Sequence, residues 1–190
     1  MCIRDRFYQS YGNWHVLNLG RYNLGYDQAR DWAVNSITSR AKVGDHIVDF
    51  GCGIGYVTLS MLRKGFRVTA IDLAQTPTLD FFRWRMKKYG MDPTVIEFVS
   101  PVPPDLPTKA DGVTMISVID HTWDPMGVLD WLDRNVKPGG WLLCDTFFNL
   151  KSEDEPQHLI KYNPHKIQHE VRKRGWINAP DNPILYVKET

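Results

Sequence analysis

Ile47-Val48-Asp49-Phe50-Gly51-Cys52-Gly53-Ile54-Gly55 joins an apolar, β-branched run to a turn in which every second residue is glycine. His46 to Phe50 reads as a strand, and Tyr56 to Lys64, stopped by Gly65, as the helix that follows it. Glycines in such a turn remove side chains, so the main chain bends sharply and a ligand can approach it closely. In open α/β sheets that turn lies at the carboxyl edge of the strands, where ligands bind. The spacing departs from the dinucleotide pattern G-x-G-x-x-G, because Tyr56 stands where the third glycine would be. That argues against a pyrophosphate cradle.

The next segment, Arg67 to Asp72, reads as a second strand. If it runs parallel to the first, its last residue, Asp72, flanks the same crevice. A carboxylate there can accept hydrogen bonds from both hydroxyls of a ribose, which suits several nucleoside cofactors without separating them. Asp49 is harder to explain as core, since carboxylates are rarely buried without partners. It is expected to help place the ammonium of an amino-acid-like ligand, directly or through water.

Alternating strand-like and helix-like segments continue down the chain, the pattern of a parallel sheet wound with helices on both faces. Thr76-Pro77 starts a helix that carries Leu79, Phe82, Met86 and Tyr89 to a stop at Gly90. Thr94 to Ser100 is a third strand, and Pro101, Pro103, Pro104 and Pro107 then enforce an extended loop. A fourth strand spans Gly112 to Ile119, a helix Pro125 to Val136, and a fifth strand Gly140 to Phe147 after the turn Lys137-Pro138-Gly139-Gly140. Asn163-Pro164 opens a last helix ending at Gly175, and Trp176-Ile177 and Ile184 to Val187 are closing strands, paired as a hairpin. Upstream, Asp27 caps a helix running to about Arg40, with Ala29, Trp32, Ala33 and Ile37 on its apolar stripe.

One domain over residues 7–190 is the expected organisation, since 190 residues suit a single core and 43% of them are hydrophobic. Residues 7–27, rich in aromatics and glycines without a clean period, read as a lid or substrate-side segment. Met1-Cys2-Ile3-Arg4-Asp5-Arg6 reads as a non-native, translated adapter scar and is set aside from the fold. A net charge of +1 gives no clustered cationic face, so no nucleic-acid partner is expected. Three cysteines without metal or disulfide spacing suit a reducing compartment, and no apolar run is long enough to span a bilayer, so a cytoplasmic protein is expected.

Three stretches carry a resemblance to class I methyltransferases dependent on S-adenosylmethionine (SAM). Val48-Asp49-Phe50-Gly51-Cys52-Gly53-Ile54-Gly55 resembles their motif I, Ala70-Ile71-Asp72-Leu73 their ribose-binding segment, and Lys137-Pro138-Gly139-Gly140 the turn before their fifth strand. They occur in the family's order. Val118-Ile119-Asp120-His121-Thr122-Trp123-Asp124-Pro125 is further similar to the segment after strand four in ubiquinone-biosynthesis-type O-methyltransferases. Leu17-Asn18-Leu19-Gly20-Arg21-Tyr22-Asn23 resembles the segment in which those enzymes place an arginine on the SAM carboxylate.

The resemblance implies a Rossmann-like, doubly wound seven-stranded sheet, mostly parallel with an antiparallel last strand. It also implies methyl transfer from SAM to a small-molecule acceptor, oxygen favoured. Gly51, Cys52, Gly53 and Gly55 would form the cofactor turn, Asp72 and Leu73 the ribose side, and Arg21 and Asp49 the amino-acid end. Ser100 and Ile116 would complete the cofactor surroundings, Ser100 or the backbone standing in for the acid that the family often has near the end of strand three. Cys52 is also expected to be a small packing side chain rather than a reactive thiol.

His121 is the one candidate for chemistry, since a histidine beside the cleft can take a proton from a phenol-like hydroxyl near neutral pH. A role in ordering its loop is the alternative. His158 reads as a surface loop residue or a substrate contact. His165 and His169, four apart on the last helix, have no third ligand fixed by spacing, so no metal site is expected. Two other readings stay open: a nicotinamide-dependent oxidoreductase, which also uses a glycine turn and an acid after strand two, and a SAM-binding module without catalysis.

Overall fold

The computed structural model describes residues 31–145 and 164–190. Residues 7–27 with Arg21, the expected Asp27 cap, the end of the expected fifth strand at Phe147, and His158 all lie outside the described residues. Seven strands form one sheet in the order β3-β2-β1-β4-β5-β7-β6. They are β1 (His46–Phe50), β2 (Arg67–Leu73), β3 (Thr94–Phe98), β4 (Ala110–Met115), β5 (Val136–Cys144), β6 (Trp176–Ala179) and β7 (Asn182–Lys188). Pairings from β3 through β5 are parallel. The last strand, β7, inserts between β5 and β6 and runs antiparallel to both.

Side chains alternate across a strand, and here each alternation delivers one set to each of two helical layers. Ile47, Val68, Trp141 and Leu143 pack with Ala33 and Ile37 of α1 (Asp31–Arg40) and Val57 and Met61 of α2 (Tyr56–Arg63). On the same face Ala70 meets Leu79, Phe82 and Met86 of α3 (Pro77–Lys88). Val48, Phe50, Ile71, Val113, Met115 and Leu142 face the other way. There they meet Val128, Leu129 and Leu132 of α4 (Pro125–Asn135) and Ile167 and Val171 of α5 (Pro164–Lys173). β1 is therefore buried along its whole length, as a central parallel strand must be.

The helix starts obey the sequence signals. Thr76 accepts a hydrogen bond from the Leu79 N–H at 3.2 Å with Pro77 in the first turn, and Asp124 accepts one from Gly127 at 2.9 Å ahead of Pro125. Several strand bounds differ from expectation; β2 runs one residue beyond Asp72, to Leu73. β3 stops at Phe98 rather than Ser100, and β4 stops at Met115 because Ser117 adopts φ 54°, a left-handed backbone that ends extended structure. Val118 and the residues after it then form a 3₁₀ turn over Ile119–His121 instead of continuing the strand. The Lys137-Pro138-Gly139-Gly140 turn falls inside β5, where pairing resumes with a register shift: Ala110 pairs with Val136 and Gly112 with Trp141.

That Gly112–Trp141 pair sets a demanding packing constraint. A Cβ on Gly112 would lie 2.0 Å from the Trp141 ring, which is itself buried in the α1–α2 layer. Gly112→Ala is expected to cost about 2 kcal/mol as overpacking of a tight core. Denaturant unfolding checks this; a variant as stable as the parent would show that the ring moves aside freely.

Candidate functional site

Three parallel strands, β2, β1 and β4, end side by side, and their exits build the site. The chain leaving β1 adopts positive φ at Gly51 (72°), Gly53 (53°) and Gly55 (76°). Alternate left-handed residues of this kind turn the backbone tightly, and side chains there would be strained. The turn is tied to the neighbouring strand. Gly51 and Cys52 both donate their N–H to the Ile71 carbonyl, at 2.8 and 3.1 Å.

Asp72 completes the attachment. Its Oδ2 accepts the Gly53 N–H at 2.7 Å and its Oδ1 accepts the Leu73 N–H at 2.7 Å. Enclosure by the turn raises the Asp72 carboxyl above its ordinary range; the two N–H donors pull it back down and the Asp49 charge pushes it further up. Cys52 Sγ lies 3.8 Å from Asp72 Oδ2, and burial, with the charges of Asp72 and Asp49, pushes its thiol well up. Cys52 is buried and packs with Leu59, Ala70 and the Leu79, Phe82 and Met86 face of α3.

The remaining glycines serve packing. A Cβ on Gly55, which caps α2, would meet the Phe82 ring at 2.5 Å, so its absence lets α3 close on the turn. A Cβ on Gly51 would lie 2.4 Å from Val118, the residue after the left-handed Ser117. Val118 was not among the expected site residues, and it forms the outer contact of the turn.

Asp49 points to the opposite layer from Phe50, as alternation requires, and is only 6% exposed. Its Oδ2 accepts the Thr58 N–H at 3.0 Å and the Thr58 hydroxyl at 2.6 Å, and its Oδ1 accepts the Thr114 hydroxyl at 3.1 Å. The carboxylate thus joins β1, α2 and β4. The other expected residues are spread more widely. Ser100 is exposed and its hydroxyl donates to the Val102 carbonyl, while Ile116 packs partly buried against the α1–α2 layer.

His121 closes the 3₁₀ turn after β4, its N–H donating to the Val118 carbonyl at 2.8 Å. Its Nε2 lies 3.9 Å from Oδ2 of the buried Asp120. Asp145, just past β5, stands at the same edge and accepts hydrogen bonds from Ser117. Sequence reading overlooked it because the fifth strand was expected to run on to Phe147. His165 and His169 are exposed on α5, and no group of potential metal ligands occurs among the described residues. No helix among them is long and apolar enough to cross a membrane.

Comparison with known proteins agrees with this architecture. Residues 27–179 match the family described as "Methyltransferase domain". The chain is 35% identical over 105 residues to the ubiquinone biosynthesis O-methyltransferase of Paracidovorax citrulli, covering 54% of this chain and 44% of that protein. It is 29% identical over 161 residues to the protein of that name from Shewanella pealeana, covering 80% and 68%. The chain spans about half the length of most of the relatives it matches. Among solved structures, phosphoethanolamine N-methyltransferase 2 of Haemonchus contortus, in complex with S-adenosyl-L-methionine, superposes with a TM-score of 0.64 at 22% identity, over 80% of this chain and 37% of that one. At that identity the likeness speaks for the fold.

The raised Asp72 carboxyl has a consequence for stability. The folded state holds that proton more tightly than the unfolded chain, so ionising the group costs stability. Relative to Asp72→Asn, the parent is expected to lose stability as pH rises from 3.8, the ordinary value, through the raised folded one, and to level off above it. Denaturation midpoints across the acidic range check this. A difference between the two proteins that ignores pH would mean the carboxylate is well solvated.

Proposed function

We propose, from the premise that this chain belongs to the methyltransferase domain family, that it transfers a methyl group from SAM to an oxygen of a small-molecule acceptor. The observation that carries the cofactor reading is the Asp72 carboxylate bound to the glycine turn at the carboxyl edge. A carboxylate offers about four lone-pair positions; the Gly53 and Leu73 N–H groups use two and the weak Cys52 thiol donor a third. The open position, with the one a thiol yields to a stronger donor, fits the paired hydroxyls of a ribose. The turn, stripped of side chains at three positions, fits the close approach of an adenosyl amino acid.

Bound there, SAM supplies a methyl group on a positively charged sulfur. The protein's part is holding and aiming. Asp72 and Leu73 would hold the sugar, Ser100 and Ile116 would complete the cofactor surroundings, and Gly51, Cys52, Gly53 and Gly55 would present main chain to the rest. Asp49, its oxygens held by Thr58 and Thr114, favours the amino-acid end through its buried charge. Arg21 pairs with the carboxylate of the amino-acid end by the resemblance of its segment. His121 takes the proton from the acceptor hydroxyl as the oxygen becomes a nucleophile. Oxygen as the target rests on the names of the ubiquinone-biosynthesis relatives and on a histidine being useful for an acceptor that must lose a proton.

Calorimetric titration tests the cofactor. S-adenosylhomocysteine is expected to bind more tightly than NAD, and Asp72→Ala to weaken it roughly tenfold, the value of a charge-assisted hydrogen bond. Tighter NAD binding would transfer the protein to the oxidoreductases, and unchanged affinity in the variant would remove Asp72 from the site. Transfer of a labelled methyl group to phenolic acceptors tests the chemistry. His121→Ala is expected to lower turnover by about a hundredfold while S-adenosylhomocysteine affinity is preserved; a variant as fast as the parent at every pH would reduce His121 to scaffolding.

A further inference from the structure

Ser117 lies at φ 54°, one of only two non-glycine residues with positive φ among those described. A side-chain-bearing residue holds left-handed backbone only where its surroundings impose it, and such positions gather at functional edges. The imposing group is on the neighbouring strand's exit. Asp145 Oδ1 accepts the Ser117 N–H at 2.6 Å, and Oδ2 accepts the Ser117 hydroxyl at 3.2 Å. Both oxygens of one carboxylate therefore engage one residue, fixing the orientation of its peptide as well as its side chain.

The reversal at Ser117 sets the path of the next four residues. It ends β4 at Met115 and directs Val118 onto Gly51, where the missing Cβ leaves the room that Val118 occupies. The Val118 carbonyl then accepts the His121 N–H, closing the turn that carries the imidazole. From these contacts we infer that Asp145 is a positioning residue: acting through Ser117, it seats Val118 against the glycine turn and sets where His121 begins. The inference rests on the proposed function for its catalytic meaning, while the interlock itself is a property of the protein without ligand.

The test uses a double-mutant cycle on the full chain with two readings. Hydrogen–deuterium exchange of amides 116–121 in the ligand-free protein reports the turn, with α3 amides as the control for general unfolding, and calorimetry with S-adenosylhomocysteine reports the site. Asp145→Ala is expected to speed exchange in that segment and weaken binding, each roughly tenfold, as loss of hydrogen bonds to a charged group predicts. Asp145→Asn keeps an acceptor for the Ser117 N–H and a donor for its hydroxyl, and is expected to stay near the parent. Ser117→Gly accepts the left-handed backbone without help. Adding Asp145→Ala to it is then expected to change either reading by less than about twofold, the limit of ordinary additivity error.

A double variant as loose as Asp145→Ala alone, or an Asp145→Ala with normal exchange, overturns the interlock. Loosened exchange with unchanged affinity overturns the positioning role. A parent that binds no S-adenosylhomocysteine removes the cofactor reading instead, and the exchange measurements still decide whether Asp145 holds the turn.

Discussion

The hydrogen bond from the Gly53 N–H to the Asp72 carboxylate links the exits of two neighbouring parallel strands. A chain leaving a buried parallel strand carries main-chain groups that have lost their sheet partners, and an enclosed N–H without an acceptor costs about 1–3 kcal/mol. Here the β2 exit supplies the acceptors: the Ile71 carbonyl for Gly51 and Cys52, and Asp72 for Gly53. The turn is thereby satisfied without side chains of its own. That is what permits glycine at alternate positions, and glycine in turn permits a ligand or a neighbour to touch the backbone.

The three glycines then divide their work. Gly53 gives its N–H to Asp72, Gly55 makes room for the Phe82 ring of α3, and Gly51 makes room for Val118. A motif that reads as one unit in sequence is thus three separate constraints, each with its own neighbour. One is electrostatic and two are steric.

The fold was legible where burial is two-sided and punctuation is strong. His46 to Phe50 stood out as a strand because a central parallel strand needs apolar side chains on both faces, and Thr76-Pro77 marked a helix start because cap and proline each satisfy the first turn. The β4 end was not legible. Ile116 to Ile119 is as apolar as the strand before it, and nothing in a serine announces left-handed backbone, which here depends on a carboxylate 28 residues away. The same holds for the site: Asp72 follows from its place at a strand end, whereas Val118 and Asp145 matter through contacts that only the assembled sheet creates. Asp49 was legible as an anomaly, a carboxylate in a strand, but its threonine partners on α2 and β4 were not.

Four carboxylates, Asp49, Asp72, Asp120 and Asp145, collect at or near one edge of a chain whose net charge is only +1. Their partners differ: Asp49 is held by two threonines, Asp72 by main-chain donors of the turn, and Asp145 by Ser117, while Asp120 lies buried beside His121. Asp49 and Asp72 feel one another, since the charge of the first helps to raise the carboxyl of the second. Two like charges in a poorly solvated setting repel far more than they would in water. A cation arriving at the turn relieves that repulsion, whereas a neutral ligand of the same shape does not.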